Sequence, residues 1–299
     1  MTSLPNFIIV GVQKSGTTSI YSYLDQHPQI YLSPVKEPHF LERDWENYYL
    51  QGKARNPKRI DTFEKYEALF EGVTNEIAIG EASLNCLFHH DESIPQILKY
   101  VPETQIIIIL RNPAERAYSD YLMHMRDAIN SDGTVPFSYI IKERFDRSYI
   151  TQKGFYSDGV KHFRDVFGTE RVHIFLYDDL RKDTGKFLKD IYQAIKVDTE
   201  FEADFSKRAQ TAQVPKNKTV NRILNTKNPI RSTVASGLRR VMPLNIRQQI
   251  RSSIVSLNSS DKSAAPFSPD DRSALVQLYR EDILRLQDLL QRDLSNWLT

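Results

Sequence analysis

Near its start the chain carries Phe7-Ile8-Ile9-Val10, an apolar run that stops at Gly11. Val12-Gln13-Lys14-Ser15-Gly16-Thr17-Thr18 follows, and then a pattern of helical period. A short buried strand that feeds a glycine-bounded loop into a helix commits the chain to a βαβ unit. Backbone N–H groups and the helix dipole at that junction form a cradle for an anion. The pattern nearly matches the nucleoside-triphosphate loop, G-x-x-x-x-G-K-[ST]. It differs where that loop needs lysine, because Thr17 follows Gly16 and the lysine comes earlier, at Lys14. The loop suits a phosphate group but lacks the layout that holds Mg-ATP. An ordinary glycine turn needs far fewer donors.

The rest of the chain alternates between strand and helix patterns. Asn6–Val10, Glu76–Gly80, Gln105–Leu110 and Arg171–Tyr177 read as strands. The unbroken Gln105–Leu110 isoleucine run marks a strand covered on both faces. Helices are expected over Thr17–Gln26, Thr62–Phe70, Ser93–Tyr100, Pro113–Asn130 and Tyr156–Phe167. Two more are expected, one after Tyr177 reaching about Ile195 and one over Pro269–Arg292. Pro95 is expected within the first turn of its helix. The predicted fold class is therefore α/β, a P-loop-like three-layer sandwich with a mainly parallel central sheet. Residues 1–299 read as one domain, and ligands are expected at the carboxyl ends of the strands.

Composition narrows the class further. The single cysteine, Cys86, excludes an internal disulfide framework and fits a reducing compartment. No apolar run approaches the ~20 residues of a membrane span, and the first apolar run is already the strand of the anion loop, so a cytoplasmic protein is expected. Charge is unevenly placed. Eleven of the 40 basic residues and none of the 38 acidic ones fall between Ser206 and Ser260. This basic stretch, within 206–265, suggests a local anionic ligand rather than nucleic acid. Its Ile230–Leu257 part also suits basic amphipathic helices on an anionic lipid surface, so peripheral membrane contact is an expectation. His89-His90-Asp91 is the nearest approach to a metal cluster. Adjacent loop histidines are more often solvated, so no metal is expected.

A second constellation follows the isoleucine strand: Arg111-Asn112-Pro113, then Arg116-Ala117-Tyr118-Ser119-Asp120-Tyr121. Arg111 stands where a parallel strand delivers its ligands, and Ser119 stands two helical turns on. A guanidinium fork and a hydroxyl suit a second phosphate. Together with Lys14-Ser15-Gly16-Thr17-Thr18, this block resembles the two signatures of sulfotransferases that use 3′-phosphoadenosine 5′-phosphosulfate (PAPS), in the bacterial and heparan-sulfate-type branch. The resemblance continues in Lys36-Glu37-Pro38-His39-Phe40, Gly80-Glu81-Ala82-Ser83, Lys153-Gly154-Phe155-Tyr156 and Asp293-Leu294-Ser295-Asn296-Trp297.

The resemblance implies roles. Lys14, Ser15, Gly16, Thr17 and Thr18 would hold the 5′-phosphosulfate, with Lys14 at the leaving oxygen. Arg111 and Ser119 would hold the 3′-phosphate. Tyr156 would lie near the nucleotide, with plain core packing as the alternative. Lys216, Asn217 and Lys218 fall where the family has a basic loop over the donor. Glu37 would be the base and His39 its rival. Glu81 would position the acceptor. Ala82 stands where the heparan-sulfate branch often has lysine, so that branch's sugar specificity does not carry over. The acceptor would be a hydroxyl or amine on a carbohydrate, small molecule or lipid. A carboxylate of ordinary pKa, ~4.3, is a weak base for this task. Burial beside Pro38 and Phe40 would strengthen it, and Lys36 would weaken it. A P-loop kinase or NTPase and a membrane-surface binding protein are the competing classes.

Overall fold

The computed structural model describes residues 3–53, 56–128, 135–206, 214–215, 259–260 and 266–299. The expected basic loop at Lys216, Asn217 and Lys218 lies outside these residues, as do the lipid-facing helices expected over Ile230–Leu257.

Five strands form one wholly parallel sheet: β1 Phe7–Gly11, β2 Ile30–Leu32, β3 Ala78–Ala82, β4 Gln105–Leu110 and β5 Val172–Leu176. Their order is β2-β3-β1-β4-β5: from central β1 the chain runs to the edge at β2, returns through β3, and crosses β1 to β4 and β5. The carboxyl end of β1 is therefore the switch point of the sheet, where such folds open a crevice. The helices are α1 Thr17–Leu24, α2 Trp45–Leu50, α3 Phe63–Glu67, α4 His90–Tyr100, α5 Pro113–Ala128, α6 Phe137–Glu143, α7 Tyr149–Gln152, α8 Ser157–Phe167, α9 Tyr177–Lys182, α10 Thr184–Ala194 and α11 Pro269–Leu290.

Alternation along the central strands produces the three layers. Ile8, Val10, Ile106, Ile108 and Leu110 enter a core shared with α4, α5, α8 and α11. Phe7, Ile9, Ile107 and Ile109 enter a second core shared with α1 and α10. Each of these strand side chains is fully buried. Successive strand residues point to opposite faces, so an unbroken apolar run is what a doubly covered strand requires.

Several expected boundaries move. The strand expected at Glu76–Gly80 runs Ala78–Ala82, because Ala78, Ile79 and Gly80 pair with Ile30, Tyr31 and Leu32. The helix expected at Ser93 begins at His90, so Pro95 lies inside it rather than in its first turn. After β5 there are two helices, not one. Asp183 is extended (φ −152°, ψ 93°), and its carboxylate accepts from the Lys186 N–H to start α10. Among the described residues, no helix is long and apolar enough to cross a membrane.

Candidate active site

The loop from β1 into α1 is shaped by backbone geometry. Lys14 and Gly16 both have left-handed φ, 74° and 80°. At Gly16 a β-carbon would lie 2.8 Å from Leu180 Cδ2 and 3.0 Å from Tyr177 Cε2, so conformation and space both demand glycine. Ser15 is fully buried, and its hydroxyl donates to the Val12 carbonyl at 2.6 Å. Its side chain closes the loop from within, leaving only its backbone for a ligand. The first N–H groups of α1 have no partner within the helix. No side chain caps them. Gly16, Thr17 and Thr18 line the cleft onto which they open.

That cleft has a volume of about 570 Å³. Lys14, Lys36, Glu37, Arg111 and Ser119 also line it, with Gln13, Ser19, Leu84, Met123 and Tyr177. Three cations face one carboxylate, so the net field favours an anion. The sequence thus places Lys14, Gly16, Thr17, Thr18, Glu37, Arg111 and Ser119 in one cavity.

Arg111 reaches this wall because β4 ends one residue before it. Asn112 then turns the chain into α5 by accepting from the Ala114 and Glu115 N–H groups at 3.0 and 3.2 Å, and Pro113 supplies the first helical residue. The Arg111 guanidinium donates to the Lys14 carbonyl at 2.9 Å and lies 4.8 Å from the centre of the Tyr177 ring. The anion loop and the Arg111 corner are therefore one braced unit.

Glu37 and His39 both adopt left-handed φ, 59° and 60°, on either side of Pro38. Strained non-glycine residues of this kind concentrate at functional sites. The Glu37 N–H donates to the Ala82 carbonyl at 3.0 Å, which fastens this turn to the end of β3. The Glu37 carboxylate accepts from Lys36 Nζ at 3.0 Å and from Gln13 Nε2 at 3.5 Å. Gln13 is oriented in turn by Lys153, whose ammonium donates to Gln13 Oε1 at 3.0 Å and to Asn85 Oδ1 at 2.7 Å. An ammonium can only donate, so the Gln13 oxygen faces Lys153 and its N–H₂ is left for Glu37. Burial lowers the Lys153 pKa.

His39 does not line the cleft. Its Nδ1 lies 2.7 Å from Glu42 Oε1, and that hydrogen bond raises the His39 pKa above its ordinary value. A histidine that holds its proton more tightly is a poorer base near neutrality. Of the two candidate bases, only Glu37 faces the cleft.

Two of the expected site residues stand away from the cleft. Glu81 is fully buried and does not line the cleft; its carboxyl oxygens are spent on the Ser83 and Tyr66 hydroxyls at 2.9 and 3.3 Å. Burial, reinforced by Glu42, pushes its pKa up to about 8, although the two hydrogen bonds pull the other way. Tyr156 is 1% exposed and also stands behind the cleft. Its hydroxyl donates to the Arg111 carbonyl at 2.9 Å and so braces the backbone that carries the arginine. Gln13, Tyr177 and Met123 also line the cleft, with no motif role to mark them in the sequence. Gln13 stood beside Lys14 in the loop, and Tyr177 stood at the end of an expected strand. Met123 lies one helical turn beyond Ser119, and that spacing was its only signal.

The model of the sulfotransferase family matches residues 5–201. The chain belongs to the sulfotransferase family. A crystal structure of a sulfotransferase from Alicyclobacillus acidocaldarius superposes with a TM-score of 0.69 at 27% identity, covering 99% of this chain and 100% of that one. Among curated relatives, the membrane-associated sulfotransferase kil1 of Dictyostelium discoideum is 32% identical over 118 residues, 40% of this chain and 22% of that protein. Carbohydrate sulfotransferase 15 of Mus musculus is 32% identical over 151 residues, 40% of this chain and 27% of that protein. The human bifunctional heparan sulfate N-deacetylase/N-sulfotransferase 3 is 34% identical over 123 residues, 41% of this chain and 13% of that protein. The matches thus span about a quarter or less of these relatives' lengths. The α/β fold with a P-loop-like anion loop agrees with this family.

Proposed function

We propose that this sulfotransferase moves a sulfuryl group from PAPS to a hydroxyl or amine of an acceptor, with Glu37 as base and Lys14 beside the departing phosphate. The observation that carries this reading is the gathering of Lys14, Arg111, Ser119, the α1 N-terminus and Glu37 around one cleft. Two sets of anion-binding groups on one cleft, the α1 N-terminus and the pair of Arg111 and Ser119, suit a ligand with two phosphate groups.

The donor presents an S–O bond to phosphate that must break as the acceptor forms a new bond to sulfur. Glu37 accepts the proton that the attacking O–H or N–H loses. Lys14 and the α1 N–H groups stabilise the negative charge growing on the phosphate oxygen. Thr17 and Thr18 add hydroxyl donors, while Arg111 and Ser119 hold the far phosphate and set the line of attack. The products are a sulfate ester or sulfamate and 3′-phosphoadenosine 5′-phosphate (PAP), with the proton on Glu37. Relatives named for carbohydrate and heparan sulfate acceptors support a carbohydrate acceptor, although Ala82 keeps the heparan-type specificity from being carried over.

The test is sulfur-35 transfer from PAPS to pooled sugar, lipid and small-molecule acceptors, with mass identification of the product. Glu37→Gln is expected to slow turnover by about 10²–10⁴-fold while PAP binding is kept. Wild-type turnover in that variant would remove Glu37 as the base.

A further inference from the structure

Away from the cleft, α4 and α8 bring three ligand-type side chains to one point. The Nδ1 atoms of His90 and His162 lie 2.9 Å apart. Asp91 Oδ1 lies 3.2 Å from His90 Nδ1 and 3.3 Å from His162 Nδ1. The sequence expectation centred on His89-His90-Asp91. Instead the His89 ring packs edge-on against Phe88, and His162 completes the group from 72 residues along the chain. Gly159, one turn before His162, makes the approach possible. A β-carbon there would lie 2.7 Å from the Leu87 carbonyl oxygen and 3.2 Å from His90 Cδ2. Any side chain would push α8 away from the start of α4.

We propose that His90, Asp91 and His162 bind a divalent transition-metal ion of the zinc type, completed by solvent, which staples α4 to α8. Two imidazole nitrogens and a carboxylate oxygen form a borderline donor set that suits zinc better than magnesium or calcium. Zinc bound tetrahedrally at ~2.0–2.1 Å has ligand-to-ligand edges of about 3.3–3.4 Å, close to the triangle found here. The side chain of Asp91 is 83% exposed, so water can reach a fourth position. Its charge also offsets the positive end of the α4 dipole. None of the three residues lines the catalytic cleft, so the site is structural. It anchors the segment between β3 and α4, which carries Asn85, the partner of Lys153.

The full chain, stripped with chelator and dialysed, is to be titrated with zinc chloride against a chromogenic competitor. One site of micromolar affinity or tighter is expected, weakened at least ~10-fold in His162→Ala. His90→Gln gives the same readout if His162→Ala does not fold, as judged by circular dichroism. Cobalt should give d–d absorption in the wild type without thiolate charge transfer, since the only cysteine, Cys86, is buried elsewhere. Absence of micromolar zinc binding would overturn the proposal. So would variants that bind as tightly as the wild type, with the two rings then simply donating to Asp91.

Discussion

Arg111 shows how much a single side chain does in this site. It lines the cleft, braces the anion loop through the Lys14 carbonyl and takes support from Tyr156 at its own carbonyl. A hydrogen bond to a charged group contributes ~1.5–3 kcal/mol, so Arg111→Ala is expected to weaken PAP binding tenfold or more by calorimetry. Glu81 makes a prediction of a different kind. Its pKa in the folded chain, about 8, is raised from an ordinary 4.5. The folded state therefore binds more protons than the unfolded state between these values. The Glu81 contribution to stability is fully present below about pH 4.5 and is lost as pH rises through about 8. Chemical denaturation of Glu81→Gln should show a flatter stability profile than the wild type across this window. The same residue marks a limit of reading from sequence. Glu81 and Tyr156 each sit in a motif, and only the packing of Tyr66 and Asp282 around them reveals that they face inward. Glu37 was legible because its turn bears a motif. The Gln13 and Lys153 contacts behind it were not, since they join segments 140 residues apart.

Among the elements, the β1–α1 junction and the β4–α5 junction were plain in the sequence. Each couples a doubly buried strand to a helix start with its own signal: Gly16 in the first, Asn112 and Pro113 in the second. The strand β2 has three residues and α2 has six, too short for periodicity to declare them. Pro95 misled because proline usually marks a first turn, whereas α4 starts five residues earlier. Gly16→Ala tests the anion-loop element as a whole. A methyl at φ 80°, pressed on Leu180 and Tyr177, should cost about 1–3 kcal/mol. The checks are a lowered melting temperature and weakened PAP binding, with PAP rescuing part of the lost stability.

Across the whole molecule, the carboxyl-terminal helix lies outside the matched family region yet supports the site. Asp282 of α11 is 3% exposed and accepts from the Tyr156 and Ser157 N–H groups and the Ser157 hydroxyl. It thereby caps α8 and holds Tyr156, which holds Arg111. Asp282→Ala removes several charge-assisted bonds and should destabilise the fold by ~1–3 kcal/mol. PAP affinity should fall in the same variant, while a surface change such as Lys161→Ala leaves both unchanged. The proposed donor calls for a cleft that takes a doubly phosphorylated nucleotide without a metal and does not take Mg-ATP. Calorimetric titration of the full chain with PAP, without added magnesium, tests it most directly. One-to-one binding is expected at sub-millimolar PAP or tighter, with no comparable binding of ATP with magnesium. Failure to bind PAP alongside magnesium-dependent binding of ATP would contradict it.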